Sequence, residues 1–252
     1  MIPFAPTTAV PPVLALWVLA WVAGRRSRAW LPPGGVWELA TGILGGVSLS
    51  GAATLALGLG LGGELSVEPE VLTRGPWLVA AVGGTAAGEV FIAGLAGIGP
   101  AWPRGVSRQH WLAGLAAGPL FVLLSGAWVL GLGLVGVAPG EQVVATALLA
   151  DRSWATAVAL VSVTLVAPVL EEVVFRGWLL RWLGLRLPAG AALWAQALAF
   201  GAMHLEAPLL VPPLVLLGVG CGWLRQRSGS LGPSILAHFG NNALAGVVLL
   251  GS

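Results

Sequence analysis

Charged side chains are scarce in this sequence of 252 residues: only 9% are Asp, Glu, Lys or Arg, whereas 57% are hydrophobic. A soluble globular domain usually carries about 25% charged residues, which cover its surface. The mean hydropathy of +0.92 reflects the same shortage of polar side chains. The composition therefore excludes a water-soluble domain and predicts an integral membrane protein.

Lysine is absent, so the formal net charge of +2 comes from twelve arginines set against ten acids. So few cations, spread over the whole chain, form no basic stripe of the kind that binds nucleic acid. We therefore expect no nucleic-acid partner. Cysteine is almost absent too: Cys221 is the only one, so no intrachain disulfide can form.

Long apolar stretches fill the chain instead, and each approaches the ~20 residues that a helix needs to cross a hydrocarbon layer about 30 Å thick. They predict an all-α, polytopic integral membrane protein, a helical bundle of about eight transmembrane helices forming one domain over residues 1–252. Polar motifs mark a catalytic core at about 153–250, after N-terminal helices in 1–140. The spans lie at about 9–24, 36–61, 76–100, 111–137, 153–183, 188–205, 208–224 and 231–250.

The arginines predict the orientation of these spans. Loops on one side hold nine of the twelve, whereas Arg74 and Arg152 fall on the other side and Arg176 lies within a span. The positive-inside rule makes the arginine-rich side cytoplasmic. The lack of Lys, with many Arg, Ala, Gly and Trp, suggests a prokaryotic sequence, so we expect the inner membrane. The nine are Arg25, Arg26, Arg28, Arg104, Arg108, Arg181, Arg186, Arg225 and Arg227.

Ionisable residues inside a span cost ~2.5 to 3.5 kcal/mol each at the bilayer centre, so each one needs an explanation. The fifth span contains Glu171-Glu172-x-x-x-Arg176. Glu172 and Arg176 are four residues apart in the favourable order, which predicts an ion pair on one helix face. Glu171 is displaced by ~100° around the helix, so it stays free for chemistry. Pro168 lacks an N–H and predicts a kink just before the acids.

Two further polar groups follow, Phe200-x-x-x-His204 and His238-x-x-x-Asn242. Counted from the cytoplasmic ends of their helices, Glu171 lies about 20 Å deep, His204 about 24 Å and Asn242 about 17 Å. All three groups can therefore line one cavity that opens to the cytoplasm.

This set of side chains suits the hydrolysis of an amide. A carboxylate beside an imidazole can draw a proton from water, and a second imidazole and a carboxamide can donate hydrogen bonds to an oxyanion. No serine or cysteine lies within the three groups, which disfavours a covalent nucleophile. Glu171, His204 and His238 could also ligate zinc, but the chain has no H-E-x-x-H motif, so we expect no metal or other cofactor.

In this order, E-E-x-x-x-R with Phe175-Arg176-Gly177, F-x-x-x-H and H-x-x-x-N resemble the CAAX protease and bacteriocin-processing family, also called the Abi or Rce1-like family. The resemblance covers residues 165 to 245. It implies a glutamic-type intramembrane endopeptidase in which Glu171 and His204 activate water and His238 and Asn242 stabilise the oxyanion. Glu172 and Arg176 would hold the site together or engage substrate.

The resemblance leaves the substrate open. Family members act on prenylated C-terminal tails, leader peptides, anchored proteins or sorting signals, so the expected partner is a membrane-associated protein or peptide within the lipid bilayer. A non-catalytic scaffold or a transporter with a buried polar network is the alternative. Glu89, an isolated acid in the third span, is the feature that favours it.

Overall fold

A computed structural model describes residues 6–31, 34–61, 75–97, 105–138, 140 and 154–251, and this part of the chain contains helices and turns but no strand. Its eight helices are numbered α1 to α8. The fifth is a run of successive helical segments. They are α1 (Pro6–Arg28), α2 (Val36–Gly60), α3 (Gly75–Ala96), α4 (Arg108–Leu134), α5 (residues 154–184), α6 (Ala189–Ala202), α7 (Val211–Ser228, after a 3-10 turn at Pro208–Leu210) and α8 (Gly232–Gly251).

Each of the eight apolar stretches coincides with one of these helices, which confirms the all-α prediction for the described residues. Five of the helices found there, α2, α3, α4, α5 and α7, are long and apolar enough to cross a membrane, and α6 is a shorter apolar helix of 14 residues. The count of eight spans therefore stays a prediction. Arg74, Arg104 and Arg152 lie outside the described residues.

The chain divides into two compact units, residues 1–99 with 146–170 and residues 100–145 with 171–252. That residues 1–252 form one domain stays a prediction. In the first unit, α3 packs against α1 and α2. A Cβ on Gly84 would lie 2.6 Å from the Thr54 nitrogen, and one on Gly88 would lie 2.5 Å from the Gly46 carbonyl oxygen. The Gly84-x-x-x-Gly88 pair thus permits a close approach of α2 and α3.

In the second unit, α4 packs against α8 and α7, and α7 packs against α6. Glycine again permits the contact between α4 and α8, because a Cβ on Gly118 would lie only 3.0 Å from the Ala237 carbonyl oxygen. The Trp128 indole donates a hydrogen bond to the Leu209 carbonyl, 2.7 Å away, which ties α4 to the turn before α7. The helix α8, which carries His238, thus packs closely against α4 within the unit.

The cationic helix ends of the second unit lie together. Gln226, at the end of α7, donates a hydrogen bond of 3.0 Å to the carbonyl of Ala189, at the start of α6. This contact places Arg225 and Arg227 beside the turn that follows Arg186. Arg186, Arg225 and Arg227 therefore lie at the same end of these helices, and the orientation of that end in the membrane stays a prediction.

Candidate active site

The two acids lie where α5 changes its winding. The segment Ala167–Glu171 is α-helical, but π-helical turns precede it at Ser162–Val166 and follow it at Glu172–Leu179. The first widened turn closes with an Ala167 N–H bond to the Ser162 carbonyl, five residues back. Pro168, which has no N–H to give, comes next. Such π turns occur often at functional sites, and here one begins at Glu172.

Glu172 and Arg176 form the predicted ion pair. The Arg176 Nη1 lies 2.7 Å from the Glu172 Oε1, and both side chains are 0% exposed. A second guanidinium nitrogen, Nη2, donates to the Gly218 carbonyl at 3.2 Å, and the guanidinium carbon lies 4.5 Å from the Phe200 ring centroid. The positive charge of Arg176 is thus balanced by Glu172 away from solvent.

His238 lies between the two acids of α5. Its Nδ1 is 3.0 Å from the Glu172 Oε1, and its Nε2 is 3.6 Å from the Glu171 Oε2. Only Glu171 is partly accessible, at 20% side-chain exposure compared with 3% for His238. Glu171 is therefore the acid that water and substrate can reach. An ionised carboxylate only accepts hydrogen bonds, so the Nδ1–H of His238 donates to Glu172.

Within the described residues, His204 forms no hydrogen bond or ion pair with Glu171. It lies in the turn after α6, where its Nδ1 is 3.1 Å from the Phe200 carbonyl oxygen. The Phe200 ring is adjacent to both imidazoles, with centroid distances of 5.3 Å to His204 and 5.6 Å to His238. The structure thus pairs Glu171 with His238, and a water molecule would have to bridge Glu171 and His204 for the two to act together.

Asn242 follows His238 by one turn of α8, as expected. The Asn241 Nδ2 donates to the Asn242 Oδ1 at 3.1 Å, and both side chains are half-buried. Because its oxygen accepts this bond, the Asn242 carboxamide has a defined orientation. Asn241 therefore has a supporting contact with Asn242 that the four-residue spacing did not indicate.

Gln196 is a buried polar residue that the motif analysis missed. It is 0% exposed in α6, and its Nε2 donates to the Gly218 carbonyl at 2.9 Å and to the Leu193 carbonyl at 3.1 Å. The signal in the sequence was a carboxamide within an otherwise apolar helix. Glu89, the residue that favoured a transporter, is half-buried in α3 of the first unit.

An apolar cavity of about 660 Å³ lies between α4, α6 and α7. Neither the acids nor the histidines line it, so it is separate from the polar network. Its walls are apolar apart from the Trp128 indole. They are formed by Leu124, Ala127, Trp128, Leu198, Val211, Pro212, Pro213, Val215 and Leu216.

The zinc alternative needs three ligands close together. Among the described residues, no group of three or more His, Cys, Asp or Glu side chains is arranged to hold a metal ion. His204 bonds to the Phe200 carbonyl rather than joining Glu171 and His238. The geometry therefore gives the zinc alternative no support, and metal independence remains a prediction.

Comparison with known proteins identifies the family of the segment that contains this site. The model of the family described as type II CAAX prenyl endopeptidase Rce1-like matches residues 152–244. No curated protein and no solved structure matches the chain significantly. The matched range contains the acids, both site histidines and Asn242. Residues 152–244 are therefore an Rce1-like domain of the CAAX prenyl endopeptidases, a family of glutamic-type intramembrane proteases.

Proposed function

We propose that this protein is an intramembrane endopeptidase that hydrolyses a peptide bond of a membrane-associated protein or peptide. The observation that carries the proposal is Glu171, a partly accessible carboxylate placed at the edge of a buried ion network. The network supplies fixed charges, and the accessible acid supplies a base. The substrate is a prenylated tail, a leader peptide or a sorting signal.

Glu171 accepts a proton from water in this mechanism, with His204 as the second group that orients the water. The water oxygen adds to the carbonyl carbon of the substrate and forms a tetrahedral oxyanion. Collapse of this intermediate breaks the carbon–nitrogen bond, and the proton held by Glu171 passes to the leaving amine. Because the base returns its proton, the enzyme ends in its starting state.

His238 and Asn242 stabilise the oxyanion. The Nδ1–H of His238 is already donated to Glu172, so only Nε2 can face the substrate. Nε2 donates when the ring is doubly protonated, and the carboxylates on either side balance the charge of that imidazolium. The Asn242 carboxamide, one turn further along α8, supplies the second donor. His238 is buried and Asn242 is half-buried, and hydrogen bonds to a developing charge are strongest where water is excluded.

The site opens to the cytoplasmic side of a prokaryotic inner membrane. The arginines at one end of the second unit support this orientation through the positive-inside rule. The depths of Glu171, His204 and Asn242, about 17 to 24 Å from that end, support a cavity within the bilayer. The substrate therefore reaches the acids from the membrane or from its cytoplasmic surface.

Cleavage by the purified protein in liposomes tests this function. Three substrates are offered: a prenylated C-terminal peptide, a precursor with a leader peptide, and an anchored protein with a sorting signal. We expect mass spectrometry to show two fragments from one internal peptide bond. Removal of single terminal residues, or no cleavage of any substrate, would contradict the proposal.

Asn242→Ala is expected to lower kcat by about 10² to 10³ with KM little changed, because one oxyanion donor is lost. Steady-state kinetics in detergent or liposomes measure this effect. Asn241→Ala is the matched comparison, and a smaller loss of kcat is expected because Asn241 acts only by orienting Asn242 through its bond to the Asn242 Oδ1. A kcat for Asn242→Ala equal to that of the wild type would show that the oxyanion role is wrong.

Exhaustive chelation is expected to leave activity unchanged, because a carboxylate, two imidazoles and a carboxamide already provide the base and the oxyanion donors. Activity is measured before and after treatment with a zinc chelator, and total metal is measured in the same sample. Loss of activity that zinc alone restores would assign Glu171, His204 and His238 to a metal site instead.

A further inference from the structure

Two glycines of α7 bring α6 unusually close. A Cβ on Gly218 would lie 3.0 Å from the Ala197 Cα, and a Cβ on Gly222 would lie 2.6 Å from the Gln196 Nε2. A Cβ at Gly218 would require the Ala197 backbone to shift by a few tenths of an ångström. A Cβ at Gly222 would displace the side chains of Leu193 and Gln196. The Gly218-x-x-x-Gly222 spacing places both gaps on one face of α7. The backbone of α7 is therefore within reach of side chains from α6.

The side chain of Gln196 lies in this gap between α6 and α7. Its bond to the Leu193 carbonyl stays within α6, whereas its bond of 2.9 Å to the Gly218 carbonyl crosses to α7. Burying a carboxamide is costly unless it is hydrogen-bonded, and these contacts satisfy the Nε2 donor, whereas Oε1 is buried without a hydrogen-bond partner among the described residues. The Gly218 carbonyl, which accepts the bond from α6, has a second donor as well.

The same Gly218 carbonyl accepts a hydrogen bond from the Arg176 Nη2, at 3.2 Å. Donors from α5 and α6 thus meet at one oxygen of α7. The other end of the guanidinium binds Glu172, and the Arg176 Nε has no hydrogen-bond partner among the described residues. The orientation of the guanidinium in its plane therefore depends on Glu172 and the Gly218 carbonyl.

We propose that Gln196 is a positioning residue of the active site. It fixes the Gly218 carbonyl, which fixes Arg176, and Arg176 holds the Glu172 carboxylate that orients His238. The inference rests on the proposed peptidase function, because positioning has meaning only if His238 and Glu171 act on a substrate. Gln196 itself touches neither His238 nor the accessible acid, and its effect passes through Arg176.

Gln196→Met removes the donor and keeps the length of an unbranched side chain. If Gln196 positions the site, kcat falls about tenfold or more while KM changes little, because reacting groups are displaced rather than substrate contacts removed. Gln226→Met is the matched control, since Gln226 also donates a bond from α7 to an α6 carbonyl, at 3.0 Å from Ala189, but lies exposed at the helix ends. It is expected to keep the wild-type kcat.

A readout that needs no substrate separates this inference from the proposed function. The chain has only three histidines, so their side-chain nitrogens can be assigned by NMR. We expect Gln196→Met to shift the Nδ1 and Nε2 resonances of His238, and Gln226→Met to leave them unchanged. The exposed His110, which bonds to Ser107 at 2.9 Å, is the internal reference.

The outcomes are distinct. Cleavage by the wild type with unchanged kcat and unchanged His238 resonances in Gln196→Met would overturn the inference and leave the peptidase proposal standing. A shift of the His238 resonances in a protein that cleaves no substrate would refute the peptidase proposal and show that Gln196 orients His238 without a catalytic role. If Gln196→Met and Gln196→Leu both fail to fold while Gln226→Met folds, the role of Gln196 is structural and the inference is wrong.

Discussion

Replacement of Glu171 by Gln is expected to abolish peptide cleavage and leave the protein folded. Among the described residues, its polar contact is with the His238 Nε2 at 3.6 Å, too long for a strong hydrogen bond. His238 keeps its bond to Glu172, and the buried Glu172–Arg176 ion pair is unchanged. A positioned general base contributes about 10² to 10⁴ in rate, and kcat should fall by that factor.

Steady-state cleavage and thermal unfolding, measured on the same preparations, check this expectation. Glu206→Gln is the matched control, because Glu206 is an exposed acid in the same unit and the change is identical. It should keep the activity of the wild type. Full cleavage by the Glu171→Gln variant would remove Glu171 from the mechanism, and a large loss of thermal stability would show that its charge is part of the buried network.

Features that depend only on residues close together in the sequence could be predicted. The eight helices followed from apolar length, and residues such as Arg28, Gly60 and Gly184, at or near the ends of the apolar stretches, also end helices in the structure. The Glu172–Arg176 pair followed from a spacing of four residues, which places two side chains on one helix face. Both predictions use geometry that one helix contains by itself.

Contacts between distant segments could not be predicted in this way. The distances of Glu171, His204 and Asn242 from the cytoplasmic ends of their helices predicted a similar depth in the membrane. These distances could not show that His238 bonds to Glu172, 66 residues away. They also could not show that the Phe200 ring lies next to both imidazoles. The direction of each side chain around its helix depends on packing, and a chain segment alone does not contain that information.

The contact of both acids with His238 was also not predicted from the sequence. An ideal α-helix displaces Glu171 from Glu172 by ~100°, which predicted that Glu171 stays outside the Glu172–Arg176 pair and free for chemistry. In the structure α5 widens at Glu172–Leu179, and both acids contact His238 through its different nitrogens. Pro168 signalled an irregular helix, but it predicted a kink and gave no sign of the second widened turn, which begins after it.

Replacement of Glu172 by Gln is expected to destabilise the protein by about 3 to 5 kcal/mol, because it leaves the buried Arg176 charge without its partner. Both side chains of the pair are 0% exposed, so water cannot take the place of the lost carboxylate. The same change weakens the hydrogen bond from the His238 Nδ1–H, because a neutral amide oxygen replaces the carboxylate, and activity should therefore fall together with stability. Unfolding in detergent, followed by denaturant or heat, measures the first effect.

The neighbouring acid provides the control for this prediction, since Glu171→Gln should lose activity without losing stability. A double variant, Glu172→Leu with Arg176→Met, separates charge from packing. Replacing a buried ion pair by apolar side chains of similar volume is often neutral or stabilising, so this variant should recover much of the lost stability and none of the activity. Equal stability of the wild type and Glu172→Gln, with both single carboxylate variants equally inactive, would show that Glu172 and Glu171 do not divide the structural and chemical roles.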